Sequence, residues 1–346
     1  MAEKQYKGID LFRMAAALMV IGIHTAPFSV WSDGLDFMIT YCCFRVAVPF
    51  FFMVTGFFVI GPYVESNFQK TALIQKFYRK TILLYSGAVL LYLPVNIYSG
   101  NLPENLGNFF KMLLFDGTFY HLWYFPAAMI GTGILVILSK QSLKLAGWFA
   151  AISYVIGVFG DSWYGVSEKI PVLDFLYSRI FAFSSYTRNG IFFAPLFLFL
   201  GLFARKRQIP QKICKVCLLI SMLLMLLEGF LTYCLILQRH NSMYLCLPFV
   251  MFFLFQLLLE VKGTVARWIR GCSAWIYVIH PGVLIVVRGF AQVIGLKKWL
   301  IENTFLEFLS VCMVSFLIAR FFQILTGYLQ KRWKEKCIRK TEHGLK

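Results

Sequence analysis

The chain has 346 residues, of which 59% are hydrophobic and 14% charged, and its formal net charge is +18. Because charged residues usually make up about a quarter of a soluble globular protein, this composition excludes a soluble protein and indicates an integral membrane protein. The apolar residues form runs of about 18 to 25, the length of a membrane-spanning helix, and not the alternating segments of a membrane barrel. Lys and Arg stand in short clusters between the runs, where they set topology, so no nucleic-acid binding is expected. The predicted fold class is an all-α polytopic bundle.

About ten runs are long enough to cross a bilayer. They lie near residues 9–28, 37–60, 80–98, 121–139, 145–160, 189–204, 213–237, 243–260, 272–294 and 304–328. Alternate loops are rich in Lys and Arg, while the other loops carry mainly Asp and Glu, so the positive-inside rule places both termini in the cytosol. We expect a transmembrane domain over 1–330 and a basic cytosolic tail over 331–346, which is either a topology anchor or a linker to a partner domain. The polar connection 160–188 is expected outside, as a lid or half-helix.

The first run contains two ionisable residues, Arg13 and His24. Eleven residues at 100° each come to about three turns, so both side chains lie on one helix face, roughly 16 Å apart along the axis. Ionisable groups inside hydrocarbon are costly and usually functional. His24 could act as a general base near the outer surface, and Arg13 could bind a phosphate or carboxylate near the inner one. The alternative for Arg13 is a side chain that reaches the inner headgroups.

Other polar residues in the apolar runs are candidates for one shared cavity. Arg45 in the second run must face the interior, and Thr55 with Gly56 in the same run permits a kink or the close approach of a ligand. The fourth run opens with His121, Trp123 and Tyr124, for which an interfacial aromatic belt is the alternative. Further candidates come later in the chain and are Arg188, Asn189, Tyr277 and His280. Glu228 is an intramembrane acid without a partner that the sequence can name.

No metal site is predicted. Cys214 and Cys217 form a CxxC, but no second pair of ligands lies nearby, so these cysteines are expected to be structural.

These segments together resemble the acyltransferase family 3 membrane proteins over nearly the whole chain. The resemblance rests on Arg13 and His24 at the family's spacing and on three stretches, which are Phe50–Phe57, His121–Tyr124 and Tyr277–His280. Within the family the chain is most similar to the membrane domain of the VanT-type serine/alanine racemases of glycopeptide (vancomycin) resistance. That closer likeness is carried by Asp10–Arg13, Phe44–Phe52, Gly160–Gly165, Thr187–Phe193 and Ser242–Leu245.

The resemblance implies two functions from different classes. In the first, the domain sits in a bacterial cell membrane and takes in L-serine for a cytosolic racemase domain, absent here, which uses pyridoxal phosphate (PLP) to make D-serine for a modified peptidoglycan precursor. Arg45 or Arg188 would then bind the carboxylate of serine, and Asp161 or Glu228 its ammonium group. In the second, the chain is an O-acyltransferase that moves an acyl group from an acyl-CoA-type donor to an extracytoplasmic hydroxyl, with His24 as base and Arg13 at the donor phosphates.

Serine delivery is favoured over acyl transfer by a small margin. A third possibility is that the domain only anchors the racemase to the membrane. A phosphate-sized cleft at Arg13 would favour acyl transfer, whereas a through-cavity would favour transport. The domain itself is expected to need no cofactor beyond that acyl donor. Its expected partners are the lipid bilayer, the racemase domain and, as an open expectation, a second copy of the chain.

Overall fold

The computed structural model describes residues 6–343, including their side chains apart from that of Arg267 and those of residues 329–343. Within this range the regular elements are helices, with one antiparallel bridge between Tyr6 and Lys262. The α-helices are α1 Lys7–Thr25, α2 Asp33–Thr40, α3 Ala47–Thr55, α4 Gly61–Glu65, α5 Thr71–Tyr98, α6 Leu106–Lys111, α7 Tyr124–Gln141, α8 Leu143–Phe159, α9 Tyr164–Ser167, α10 Pro171–Phe183, α11 Ala194–Lys206, α12 Gln211–Cys234, α13 Leu247–Glu260, α14 Arg267–Val293, α15 Lys297–Leu300 and α16 Thr304–His343. The all-α prediction is confirmed.

The ten predicted runs correspond to helical segments, but not all of these are long. In the described part of the chain, six are long and apolar enough to cross a membrane by length and composition, namely Lys7–Thr25, Asp33–Glu65, Thr71–Tyr98, Gln211–Cys234, Trp268–Val293 and Thr304–Tyr328. The other four runs match the shorter helices α7, α8, α11 and α13. The backbone of α16 continues through much of the predicted basic tail, whose side chains lie outside the described residues.

The second predicted span is broken, and one of the breaks lies at the predicted Thr55-Gly56 position. A 3₁₀ turn, Cys43–Val46, separates α2 from α3, and a π-helical turn, Gly56–Ile60, separates α3 from α4. Such turns are frequent at functional sites because they change the direction of side chains within one helix. The first of them places Arg45, which is buried.

Alternate loops gather at opposite ends of the bundle, as the charge pattern predicted. At one end, which we call the inner end, Arg270 Nη2 lies 2.8 Å from Asp10 Oδ2 and Arg205 Nε lies 2.7 Å from Glu65 Oε1. At the other, the outer end, Ser29 Oγ donates to Thr304 Oγ1 at 3.1 Å. The cytosolic placement of the inner end stays a prediction. The connection 160–188 contains α9 and α10, which matches the expected half-helix.

Two predicted spans begin later than expected. The run 189–204 forms a helix only from Ala194, and the run 243–260 only from Leu247. Before α11, Asn189 Oδ1 accepts from the N–H groups of Ile191 and Phe192, as a helix-capping side chain does. Before α13, Asp161 Oδ1 accepts from the N–H groups of Ser242 and Met243. Irregular backbone at membrane depth is tolerated where it is buried in protein or lines a cavity. Polar side chains from these two loops meet in the interior of the bundle.

Two glycines, Gly56 and Gly201, let α3 and the π-helical turn that follows it pack against α11 with their backbones in contact. A Cβ on Gly56 would lie 2.0 Å from the carbonyl oxygen of Leu198, and one on Gly201 would lie 2.1 Å from that of Met53. Both positions therefore need glycine, since small residues let membrane helices approach closely.

Replacing Gly201 by alanine should destabilise the protein by about 1–3 kcal/mol, because the added methyl group must push two backbones apart. Thermal unfolding in detergent measures this loss. Gly289→Ala is the matched control, since a Cβ there meets no atom within 4 Å. Equal unfolding temperatures for the two variants would contradict the close packing.

Candidate functional site

Three charged residues from separate parts of the sequence gather around the loop that precedes α13. Arg45 Nη2 donates a hydrogen bond to Asn241 Oδ1, and Arg188 Nη1 lies 3.5 Å from Ser242 Oγ. The backbone N–H of Ser242 in turn donates to Asp161 Oδ1 at 2.7 Å. Two guanidinium groups and one carboxylate thus contact the consecutive loop residues Asn241 and Ser242. We call Arg45, Arg188 and Asp161 the outer polar cluster.

Asp161 has one occupied and one open oxygen. Its Oδ1 accepts hydrogen bonds from the backbone N–H groups of Ser242 and Met243, at 2.7 and 3.0 Å. Its Oδ2 is buried and has no hydrogen-bond partner among the described residues, and lies 3.6 Å from His240 Nδ1. One oxygen therefore builds the loop, while the other faces His240 and makes no hydrogen bond among the described residues.

The two arginines also keep free donors. Arg45 Nε and Arg188 Nε are both buried and make no hydrogen bond within the described part of the chain. Stacking holds the two groups in place: Arg45 lies 5.3 Å from the ring centre of Tyr41, and Arg188 lies over the rings of Trp123 and Tyr186. Because a buried unpaired guanidinium is costly, fixed arginines with open N–H groups indicate a site for an anionic group.

His240 does not neutralise Asp161. Burial, with the nearby positive charge of Arg188, lowers the pKa of His240 to about 4, although the Asp161 carboxylate opposes this shift. The imidazole is therefore neutral near pH 7, and its Nδ1 lies 2.6 Å from Ser242 Oγ. The cations that interact with the Asp161 charge are therefore Arg45 and Arg188 and not His240.

Trp123 and Asn189, both predicted to bind substrate, lie beside Arg188. The Asn189 amide nitrogen donates to Ser184 Oγ and to the Tyr186 carbonyl, and its oxygen accepts two backbone N–H groups. Both ends of the Asn189 amide are thus occupied by contacts within the loop. Asn189 therefore holds the loop that carries Arg188 in place. Trp123 supplies the ring face on which the guanidinium rests.

Glu228 has three partners, which the sequence could not name. Its carboxylate accepts from Trp163 Nε1 at 2.9 Å and from the backbone N–H groups of Leu245 and Cys246 at 2.7 and 3.0 Å. The last two precede α13, where a negative charge is favoured by the helix dipole. Both oxygens of Glu228 are occupied, so of the two acids considered for the ammonium group, only Asp161 retains a free acceptor.

Glu228→Gln should lower stability by about 2–4 kcal/mol, because the amide loses charge-assisted hydrogen bonds and turns an NH₂ group toward N–H donors. Thermal unfolding in detergent is the measurement. Glu260→Gln, at an exposed carboxylate at the end of α13, should change the midpoint little. A Glu228→Gln protein as stable as the wild type would show that the carboxylate does not hold the loop.

Three histidines from α1, the loop before α7 and α14 pack together. The ring centres of His24 and His121 lie 5.4 and 5.3 Å from that of His280, and His24 also packs against Tyr120. His280 precedes Pro281, which has no N–H for the carbonyl of Tyr277, and the His280 Nδ1 atom lies 2.9 Å from that carbonyl. His280 Nε2 and both ring nitrogens of His121 are buried without hydrogen-bond partners among the residues described.

Arg13 and His24 face the same neighbour, α14, which confirms that they share one side of α1. His24 stacks on His280, and Arg13 lines a cavity with Tyr277, one turn earlier on α14. The cavity, which we call the inner cleft, has a volume of about 510 Å³. It also contains Thr55 and Tyr124, two other predicted residues; the Thr55 hydroxyl donates to the Phe51 carbonyl at 3.1 Å.

The inner cleft contains two cations, Lys80 and Arg270, that the sequence did not predict as site residues. Lys80 and Arg270 line it together with Arg13, and the nearby Asp10 pairs with Arg270 at 2.8 Å and lies 3.7 Å from Arg13. Both missed cations lie among the positive residues at span ends that were assigned only to topology. His240, Asn241 and Ser242 were missed as site residues for a different reason, since they lie in a loop that only the fold brings to Asp161.

No group of three or more His, Cys, Asp or Glu side chains in the described chain is arranged to hold a metal ion.

Comparisons with known proteins identify the family of this chain. The family profile for an acyltransferase domain, Acyl_transf_3, matches residues 6–322. An amino-acid racemase of Enterococcus faecalis is 39% identical over 322 residues, which cover 90% of this chain and 45% of that protein. A serine/alanine racemase of Enterococcus gallinarum is 38% identical over 317 residues, again 45% of its length. The chain thus spans less than half of these relatives, and no solved structure matches it significantly. The chain belongs to the acyltransferase 3 family of membrane proteins.

Proposed function

We propose that this chain is the membrane domain of a serine racemase system and that it binds L-serine for delivery to a cytosolic, PLP-dependent racemase domain. The outer polar cluster is the observation that carries the proposal. A free amino acid is a zwitterion, and the cluster offers open N–H groups on Arg45 and Arg188 beside an open oxygen on Asp161. The names of the relatives, amino-acid racemase and serine/alanine racemase, support the choice of amino acid.

The chemistry of the cluster fits the two ends of the ligand separately. Guanidinium groups bind carboxylates through charge-assisted hydrogen bonds, and a carboxylate oxygen accepts an ammonium N–H in the same way. The side-chain hydroxyl of serine would find a further polar group in Ser242, whose Oγ lies between His240 and Arg188. D-serine made by the racemase would then enter a modified peptidoglycan precursor, the role that such racemases have in vancomycin resistance.

The test is uptake of labelled L-serine into liposomes that contain the purified protein. Uptake should be saturable, and it should be inhibited weakly by 3-hydroxypropionate, which lacks the ammonium group, and by ethanolamine, which lacks the carboxylate. Arg45→Ala should abolish it, whereas Arg179→Ala, at an exposed arginine stacked on Phe175, should not. Uptake no greater than in empty liposomes would refute serine delivery.

Acyl transfer is the second candidate, and the inner cleft favours it. A cavity with Arg13, Lys80 and Arg270 in its lining can hold the phosphates of an acyl-CoA-type donor, and His24 lies farther along the same face of α1 as a candidate base. In this mechanism, the acceptor hydroxyl gives its proton to His24 and attacks the acyl carbonyl, the bond to the donor sulfur breaks, and the thiolate of the donor takes up a proton.

This function is tested by incubating the reconstituted protein with labelled acetyl-CoA and measuring both free CoA and acylated products. His24→Ala and Arg13→Ala should each abolish turnover while the protein remains folded. A fully active His24→Ala protein would exclude His24 as the base, and absence of any donor consumption by the wild type would leave serine delivery as the better account.

A further inference from the structure

The inner cleft continues into an apolar groove along the side of the bundle. The groove has a volume of about 620 Å³ and is lined by α5, α14 and α16. Leu84, Trp275 and Val278 line both cavities, so the cationic cleft and the groove adjoin each other. A ligand that occupies both would carry an anionic head and an alkyl chain.

Helix α5 stands apart from α14 along this groove because few large side chains fill the space between them. Gly87 on α5 has no atom within 4 Å of an added Cβ, and at Gly282 on α14 the nearest such atom is the hydroxyl of Tyr92, at 3.5 Å. Tyr92 links the two helices at one point, where its hydroxyl donates to the Val278 carbonyl at 2.7 Å and accepts from the Gly282 N–H at 3.1 Å. The walls are exposed apolar side chains such as Leu91 and Val286.

The dimensions match one leaflet. From Leu84 to Val95 the groove follows eleven residue-to-residue steps of α5, about 16 Å at the helical rise of 1.5 Å per residue. Half of a hydrocarbon core of about 30 Å is about 15 Å. The groove is therefore about as long as one leaflet is thick, which is the length that one acyl chain needs.

The charge at the head of the groove selects an anion. The described lining of the inner cleft contains Arg13, Lys80 and Arg270 but no acid, and the one nearby carboxylate, Asp10, is already paired with Arg270. Arg13 Nε is buried without a hydrogen-bond partner within the described chain. Lys80 has an exposed side chain directed to the cleft.

We propose that this continuous site binds one anionic membrane phospholipid, with its phosphate at Lys80 and Arg13 and an acyl chain in the groove between α5 and α14. The site is separate from the outer polar cluster. The proposal therefore does not depend on serine delivery, and it assigns the cleft to a bilayer lipid in place of a soluble donor.

The test measures lipid binding to the purified, delipidated protein in detergent, with retained lipid counted by native mass spectrometry. Phosphatidylglycerol should bind saturably at one molecule per chain, and phosphatidylcholine with the same chains should bind at least about fivefold more weakly. Lys80→Ala should reduce phosphatidylglycerol binding by about fivefold, the effect expected for one cation at a membrane surface. Gly87→Leu, which fills the groove, should abolish it, whereas Gly289→Leu, an exposed helical glycine outside the groove, should not.

Three results would overturn the proposal. Equal binding of the two lipids, unaffected by Lys80→Ala, would show nonspecific association with the apolar surface. Binding of glycerol 3-phosphate as tight as that of phosphatidylglycerol would show an anion site that needs no chain. Displacement of the lipid by palmitoyl-CoA at lower concentration, with the same dependence on Lys80 and Gly87, would assign the cleft to an acyl donor and favour acyl transfer. Lys80→Ala keeps the test decisive if Gly87→Leu fails to fold.

Discussion

Asp161→Asn should weaken L-serine binding by about 10- to 100-fold while the protein remains folded. The asparagine oxygen can replace Oδ1 and keep both backbone hydrogen bonds, from Ser242 and Met243. The NH₂ group then replaces Oδ2, the oxygen that has no hydrogen-bond partner in the described structure. The substitution removes the acceptor for the ammonium group and the negative charge without removing the loop anchor, and a hydrogen bond to a charged group contributes about 1.5–3 kcal/mol.

Isothermal titration with L-serine measures this effect, and 3-hydroxypropionate is the matched ligand. Because 3-hydroxypropionate has no ammonium group, its binding should be equal or tighter in Asp161→Asn, where the repulsion between two carboxylates is gone. Thermal unfolding in the absence of ligand checks that the loop is intact. Parallel losses for both ligands would mean that Asp161 only supports the loop and does not contact the substrate.

Arg188→Ala should weaken L-serine binding by at least about 30-fold. Truncating one partner of a buried charge pair typically costs about 2–5 kcal/mol, and about 1.36 kcal/mol corresponds to a factor of ten. The guanidinium is held over Trp123 and Tyr186, so its direction toward the ligand is set before binding. Arg188→Lys keeps the charge but loses the planar group that stacks and binds a carboxylate with two N–H groups, so it should restore binding only in part.

The expected order of affinity is wild type, then Arg188→Lys, then Arg188→Ala, measured by titration with L-serine. Arg239→Ala is the control, since Arg239 Nη1 donates to the Ser185 carbonyl and its guanidinium stacks on Phe181 at a more exposed position. Ethanolamine, which has no carboxylate, should bind all four proteins with similar affinity. If Arg188→Ala bound L-serine as tightly as the wild type, Arg188 would not be part of the binding site.

Several features of the site can be predicted from the sequence. Each depends either on the local spacing of residues or on the free-energy cost of placing a charged group in lipid. Arg13 and His24 were placed on one face by helical periodicity alone, and both do face α14. Arg45 was expected inside because a guanidinium is unfavourable in lipid, and it is buried beside Asn241. The break of the second span at Thr55 and Gly56 follows from local chemistry as well.

The starts of two helices and the partners of the buried charges could not be read in this way. Hydropathy starts these runs at residues 189 and 243, although the helices begin at Ala194 and Leu247. The hydrogen bonds that Ser242 and Met243 donate to Asp161 join residues 81 and 82 positions apart. Glu228 had no nameable partner because Trp163 lies 65 positions away along the chain. These contacts arise from packing, which sequence periodicity does not encode.

The sequence by itself determined the membrane class, the helical fold, the alternation of loops and the ionisable residues that had to face the interior. Each of these properties depends on the transfer of single residues or segments between water and hydrocarbon, which is a property of local composition. The tertiary structure decided that Arg45, Arg188 and Asp161 converge on one loop and that Glu228 is fully occupied. It also decided that Lys80 and Arg270 join Arg13 in a cleft. A buried charge must find its partner through space, and the partner's position in the chain is set only by how the helices pack.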